Sequence, residues 1–300
     1  MTEGARVNGV HTAGPPALVP VIEARRIDPV AALAIDGPMT AKWLEAFLRD
    51  ELLGRRGIGR AVLGLSGGID SAVVAYLCAR ALGPQNVYAI RMPYRTSSAD
   101  SLRDAQLVID ELGINAQTIE ISDAVDGYLR AAPDADARRK GNVMARMRML
   151  TLFDQSAKLG ALPIGTGNKT ERLMGYFTWH ADDTPPVNPI GDLFKTQVWA
   201  LARYLHVPMR VIDKAPSADL EANQTDESDL GITYAKADQI LNLILAGYRD
   251  ATIVARGFAW ADVGLVRRRV DGTHWKRHLP TTALVSGTAI NEFYLRPVDY

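Results

Sequence analysis

The alternation that begins at Ala61 constrains this chain most. Short apolar runs at 61–65, 87–92, 116–121 and 162–165 are separated by helical patterns at 70–82, 99–112 and 142–159, with Gly83, Gly113 and Gly160 as stops. Strands that alternate with helices make a parallel sheet covered on both faces, so the expected fold is α/β, doubly wound and mostly parallel. Ligands of such sheets sit at the carboxyl ends of the strands, which directs attention to the loops that follow them. Upstream, Trp43, Leu44, Phe47, Leu48 and Leu52 form an apolar stripe on a helix that Thr40 is placed to cap, and 55–60 reads as a Gly/Arg turn. Residues 1–38 carry Gly4, Gly9, Gly14, Pro15, Pro16 and Pro20 and close on Asp36-Gly37-Pro38. They read as a flexible or surface-draped extension, leaving 39–300 as a single domain. After Thr166 the pattern is helical with long polar loops, notably 215–229.

Charge and cysteine content narrow the function classes. The 34 Lys+Arg and 34 Asp+Glu cancel, which argues against a duplex-binding protein with a broad basic field and leaves room for a local basic pocket for a small anion. Cys78 is the one cysteine, so an internal disulfide, a redox pair and a Cys-rich zinc site are excluded; its helical neighbours Val73, Tyr76, Leu77 and Leu82 predict simple burial. No run approaches the ~18 apolar residues of a membrane span, and 1–12 has no signal-peptide core. The expectation is a soluble cytoplasmic protein with neither nucleic acid nor membrane as partner.

Gly64-Leu65-Ser66-Gly67-Gly68-Ile69-Asp70-Ser71 joins the first strand to the first helix of the alternation. Adjacent glycines let the backbone come close to a ligand, and a helix start offers unpaired N–H groups and a positive dipole end, which suit a phosphate. Ser66 and Ser71 add hydroxyls, and Asp70 suits the magnesium that accompanies nucleotide phosphates. The plainer reading is a tight strand–helix turn capped by Asp70 or Ser71. A Walker A loop is absent because no lysine precedes Ser71, and 165–170 matches only the first half of a dinucleotide fingerprint. Gly64-Leu65-Ser66-Gly67-Gly68 does satisfy the G-x-S-x-G elbow of a serine hydrolase, with His180, His206, His274 and His278 downstream. That alternative lacks an HGGG-like oxyanion segment and gives Asp70 no task. A second alternative is a non-catalytic ATP sensor that keeps the loop and turns nothing over.

The Ser66–Ser71 loop resembles the pyrophosphate loop of the N-type ATP pyrophosphatases, which cleave ATP between the α- and β-phosphates to adenylate a substrate. Further segments resemble the NAD synthetase family. They are Lys140-Gly141-Asn142-Val143 with Ala145-Arg146-Met147-Arg148-Met149, Gly165-Thr166 with Glu171, and Gly175-Tyr176-Phe177-Thr178. Asn188-Pro189 before Lys195, Lys214-Ala215-Pro216-Ser217-Ala218-Asp219-Leu220, and Asp226-Glu227, Leu230-Gly231 and Tyr234 continue the match over roughly 40–280. The resemblance implies an adenine-nucleotide alpha-hydrolase-like fold. It also implies a ligase that amidates nicotinate adenine dinucleotide (deamido-NAD) with ammonia, consumes ATP with Mg2+, and assembles as a homodimer.

It further implies residue roles. Gly64, Leu65, Ser66, Gly67, Gly68, Ile69, Asp70 and Ser71 would cradle ATP, joined by Arg91, Thr166, Lys195 and Ser217. Asp70 and Glu171 would hold magnesium. Arg146, Trp179, Asp182, Pro186, Trp275 and Lys276 would contact deamido-NAD, with 270–300 as a substrate-contacting segment and 215–229 as a mobile lid. Arg146 and Arg148 lie about 200° apart on one helix, so only one faces a given ligand. Met144, Met147 and Leu150 are expected in the core, and Arg267-Arg268-Arg269 at a solvated helix end.

Trp179 stands where the family commonly has a lysine and Pro186 where it has an acid, while Asp182 remains and Asp183 is placed to compensate. These departures leave room for a related carboxylate as substrate. Gly165-Thr166-Gly167-Asn168-Lys169-Thr170-Glu171 is closer to glutamine-dependent members, yet 300 residues leave no room for their amidase domain. Free ammonia is the expected nitrogen source, unless a separate glutaminase subunit delivers it.

Overall fold

In a computed structural model that describes residues 28–29, 31–217 and 225–278 with positions 281, 283 and 285, four parallel strands form a sheet in the order β3-β2-β1-β4. These are β1 (Ala61–Gly64), β2 (Val87–Arg91), β3 (Asn115–Thr118) and the short β4 (Leu162–Pro163). Ala61 pairs with Val87 on one side and Leu162 on the other, and Tyr88 pairs with Asn115. The first strand is therefore central, buried on both faces, and its carboxyl end opens between two neighbours. The expected doubly wound α/β fold is the one observed.

Chain order places α1 (Gly37–Arg49) before the sheet, then α2 (Ile69–Leu82), α3 (Ala99–Leu112), α4 (Ser122–Leu129) and α5 (Ala137–Leu159) between and after its strands. The second half holds α6 (Lys169–Met174), α7 (Lys195–Tyr204), α8 (Met209–Ile212) and α9 (Asp226–Leu230), then α10 (Tyr234–Leu245), α11 (Asp250–Val254) and α12 (Trp260–Gly272). Val73, Val74, Leu77 and Cys78 make α2 the buried spine of the sheet layer. Each fully buried aliphatic side chain of this kind contributes about 1.5–3 kcal/mol. Burial also pushes the Cys78 thiol up to about 12, in keeping with an inert core residue.

Two apolar clusters divide the molecule. One joins α1, α2, α3, α7 and α8 to the sheet. The other gathers Met174 and Phe194 with α9, α10, α11 and α12. Helix α7 belongs to the seam, with Val198 and Leu201 in the first cluster and Phe194, its cap residue, in the second.

Several local expectations shift. Helix α1 is capped by Asp36, whose carboxylate accepts the Met39 N–H at 2.8 Å, because Pro38 is preset for a first helical turn and needs no hydrogen of its own. Thr40 is thus inside the helix. Residues 50–54 continue α1 as a π-helical turn before the Gly/Arg turn. Helix α5 starts at Ala137, five residues earlier than 142, because the Asp136 carboxylate accepts the Arg139 N–H at 2.7 Å. Met144 is buried and Met147 half-buried, but Leu150 is 57% exposed, since a spacing of three drifts off the core face of a 3.6-residue helix. Arg267 pairs with Asp250 at 2.6 Å and Arg269 donates to the Asp229 carbonyl at 2.6 Å, leaving only Arg268 of that triplet exposed. Part of 215–229 is helical, namely α9; residues 218–224 lie outside the described part, as do 1–27 and most of the segment after 278.

Candidate active site

The bend between β1 and α2 is built from its glycines outward. Gly67 has φ +81°, and a Cβ there would lie 2.1 Å from the Ser101 carbonyl oxygen, so only glycine fits between this bend and α3. Gly68 caps α2 without a side chain. Around it, Ser71 Oγ donates to the Gly68 carbonyl (3.0 Å) and accepts from the Ser66 N–H (3.3 Å), while Ser66 Oγ lies 3.1 Å from Ser71 Oγ and accepts the Gly68 N–H at 3.2 Å. Leu65 and Ile69 are buried and offer only backbone, and Gly64 ends the strand. Among the described residues, the hydrogen-bond partners of Ser66 are thus hydroxyl and N–H groups, a network suited to an anion, and include no base.

Asp70, in the first turn of α2, faces the starts of α6 and α7 at once. Its Oδ1 accepts from Asn168 Nδ2 at 3.0 Å, and its Oδ2 pairs with Lys195 Nζ. Lys195 is only 2% exposed, opens α7, and lies 5.2 Å from the centre of the Tyr234 ring and 3.8 Å from Glu171 Oε1. Asn168 and Glu171 form a reciprocal cap on α6: Asn168 Oδ1 accepts the Glu171 N–H (2.9 Å) and Glu171 Oε2 accepts the Asn168 N–H (3.1 Å). Asp226 completes the cluster, accepting from Tyr234 OH at 2.9 Å and Tyr176 OH at 3.1 Å.

Charge in this cluster is unbalanced, with Asp70, Glu171 and Asp226 around one lysine. Burial, then the Asp70 carboxylate, push Glu171 up to about 8 against the pull of Lys195. Burial also raises Asp226, which Lys195 and the two tyrosine hydroxyls partly offset. Burial alone draws the Lys195 ammonium down, but Asp70 and Glu171 outweigh it and hold it above the ordinary lysine value. Among the described residues no group of three or more His, Cys, Asp or Glu side chains converges at metal-ligand spacing.

Thr166 lies on the loop from β4 to α6, whose Asn188-braced Gly167 (2.8 Å) leads directly into Asn168. Arg91, at the end of β2, turns instead toward α3, where Nη1 donates to Gln106 Oε1 at 2.6 Å. Ser217 is exposed at the edge of the described chain. The roots of that loop are fixed: Lys214 Nζ reaches Ser101 Oγ (3.1 Å) and Asp104 (2.9 Å), and the Asp226 N–H donates to the Pro216 carbonyl at 2.9 Å.

A second patch gathers most of the residues assigned to the dinucleotide. Arg146 Nη2 donates to the Trp179 carbonyl at 3.1 Å, and the Trp179 and Trp275 rings meet edge to face at 5.2 Å. Lys276 Nζ donates to the carbonyls of Gly175 (2.7 Å) and Phe177 and sits over the Phe177 ring. Asp182 accepts the Thr178 N–H at 2.9 Å, and Pro186 is exposed beyond it. Arg148 points elsewhere, to the Met92 carbonyl (3.2 Å), as the helical angle requires.

Sequence reading gave no role to Asn168, Thr170, Asp226 or Asp238. Asn168 followed by Glu171 is a readable capping signature. Asp238 is a carboxylate on the apolar face of α10, between Ala237 and Ile240, and that interruption is a sequence signal that went unread.

A parallel sheet whose central strand ends in a glycine bend, with a lysine and carboxylates from α6, α7 and α9 gathered around the first turn of the following helix, defines a nucleotide-binding protein of the adenine-nucleotide alpha-hydrolase-like class. The model of the family described as NAD synthase matches residues 40–280. A protein of Trichlorobacter lovleyi named NH(3)-dependent NAD(+) synthetase is 48% identical over 272 residues, covering 90% of this chain and 99% of the relative. The solved structure of an NMN synthetase from Francisella tularensis superposes with a TM-score of 0.75 at 32% identity, covering 83% of this chain and 99% of that one. An NH3-dependent NAD synthetase from Campylobacter jejuni, in complex with nitrate, gives 0.72 at 31% identity, covering 83% and 100%. This chain belongs to the NAD synthase family.

Proposed function

We propose that this protein amidates the nicotinate carboxylate of deamido-NAD with ammonia, at the expense of ATP, to give NAD, AMP and pyrophosphate. The family match supports the reaction, and the meeting of Asp70, Lys195 and Glu171 beside the glycine bend is the observation that supports its location. A carboxylate resists attack by ammonia because the incoming electron pair meets an anion and oxide is a poor leaving group. Activation therefore comes first: a nicotinate oxygen attacks the α-phosphorus, the bond to the β-phosphate oxygen breaks, and pyrophosphate leaves. Ammonia then attacks the acyl carbon, AMP departs and the nitrogen loses a proton.

Residue roles follow the geometry. The Gly67-Gly68 backbone, the Ser66 and Ser71 hydroxyls and the start of α2 would hold the departing phosphates. Lys195, a buried cation at the same place, would neutralise charge as the adenylate forms. Thr166 and Ser217 would contact ATP from flanking loops, and Arg91 would have to leave Gln106 to join them. Asp70 and Glu171 offer hard oxygen donors in a cluster with surplus negative charge, which fits Mg2+. That ion would supply charge neutralisation for the triphosphate. Arg146, Trp179, Asp182, Pro186, Trp275 and Lys276 would form the wall that receives deamido-NAD.

The lid reading of 215–229 fits a loop with two fixed roots. A homodimer and a cytoplasmic location extend the reading from the family. Among the described residues no helix is long and apolar enough to cross a membrane.

The test is pyrophosphate release by the purified protein with ATP, Mg2+ and ammonium, comparing deamido-NAD with nicotinate mononucleotide, and ammonium with glutamine. Release that requires deamido-NAD and ammonium, with NAD and AMP formed in equal amounts and lost on chelation, is the expected result. Release with the mononucleotide alone reassigns the substrate, and no substrate-dependent release overturns the reading.

A further inference from the structure

We propose that Asp238, which touches neither phosphate loop nor substrate wall, is a positioning residue that holds Glu171 and Lys195 in a common frame. The observation is an unusual helix start. Helix α7 carries Lys195 as its first residue, yet its cap position is Phe194, whose side chain has no acceptor. The unpaired N–H groups are satisfied from a distance instead. The Lys195 N–H donates to Thr170 Oγ1 at 3.0 Å, and the Thr196 N–H donates to Asp238 Oδ2 at 2.8 Å. Thr170 in turn donates its hydroxyl hydrogen to Asp238 Oδ1 at 2.6 Å. Thr170 immediately precedes Glu171 in α6, and both Thr170 and Asp238 are completely buried.

One carboxylate on α10 thus ties together the first turns of the two helices that bring Glu171 and Lys195 to Asp70. A local Ser, Thr or Asp at position 194 would cap α7 equally well but would leave it independent of α6. The remote cap makes the placement of the lysine conditional on the placement of the glutamate. Asp238 also puts its carboxylate at the positive end of the α7 dipole, in the turn that Lys195 opens.

The inference rests on the roles proposed for Glu171 and Lys195, so Glu171→Gln and Lys195→Met accompany the test as controls. Thr170→Val keeps the shape of the side chain and removes both of its hydrogen bonds; Thr170→Ser keeps the hydroxyl; Asp238→Asn places an amide hydrogen against the Thr196 N–H or the Thr170 hydroxyl. With folded protein verified by circular dichroism, Thr170→Val and Asp238→Asn are expected to lower kcat about tenfold or more, as loss of supporting contacts commonly does. KM for ATP and deamido-NAD should stay within about twofold, and Thr170→Ser should restore most of the rate. A lowered Tm with kcat unchanged makes the network purely structural and overturns the proposal, as does a change confined to KM. Controls that retain full turnover sink the site reading instead. Should both variants fail to fold, hydrogen exchange on the unmodified enzyme decides: Lys195 and Thr196 amides protected like the middle of α7 support the remote cap, and fast exchange rejects it.

Discussion

Lys195 Nζ and the Asp70 carboxylate pair across 125 residues of sequence, with the lysine almost wholly buried. The pair joins the seam helix α7 to the helix that starts at the glycine bend. Replacing Lys195 with Met removes the one cation among three carboxylates. Breaking a buried pair commonly costs about 3–5 kcal/mol, here reduced because Glu171 is able to take up a proton. Urea unfolding at pH 8.5 should show the larger loss and at pH 6 the smaller one. The substrate-dependent release of pyrophosphate should fall by about 10²-fold or more.

Gly67→Ala should be costly in a different way. The added Cβ meets the Ser101 carbonyl and the residue keeps a φ of +81°, so α3 or the bend must shift. A loss of about 2 kcal/mol or more is expected from strain and overpacking together. Affinity for ATP should drop as well, whereas Gly113→Ala, which meets nothing within 4 Å, should alter stability alone. Calorimetry with and without ATP separates the two.

Glu171 gives the ligand-free protein a pH signature. Its carboxyl is raised to about 8 in the folded state, so the folded state holds the proton more tightly than the unfolded chain. Its contribution is neutral below the ordinary glutamate value and becomes increasingly unfavourable as pH rises from there through about 8. Burial is the main cause of that shift; the Asp70 and Asp226 carboxylates facing the same group add to it, and Lys195 opposes it. Glu171→Gln should therefore raise Tm at pH 8.5, by about 2–4 °C for each kcal/mol recovered, with the gain shrinking toward pH 5. A gain that grows on acidification would contradict the assignment.

The Trp179–Trp275 contact predicts a split between substrates. Trp275→Ala removes the edge that Trp179 packs against, and Arg146→Ala frees the Trp179 carbonyl. Each should raise KM for deamido-NAD about tenfold while KM for ATP stays near its original value. Steady-state kinetics with each substrate varied in turn checks this.

Much of the site was legible because it lies on contiguous motifs. The glycine bend, Asp70 and the strand–helix alternation follow from residue types that few other local structures use. Asn168 was legible as a cap for Glu171 but not as a neighbour of Asp70, whereas the resemblance had already set Glu171 with Asp70 as a magnesium pair. Boundaries read less well where a single side chain decides them, as at Asp36 and Asp136, and Leu150 escaped because three-residue spacing mimics a core stripe for only one turn.

Local chemistry along the chain determined the parallel sheet, the phosphate-sized bend and the order of the helices, since propensity, turn residues and periodicity are properties of neighbours in sequence. Only the folded arrangement decided that Lys195 is buried, that Asp226 stands beside it and that Asp238 caps its helix. A surface lysine and a site lysine are the same residue type. What separates them is desolvation and the charge of groups far along the chain, and those arise when the two apolar clusters close on α7.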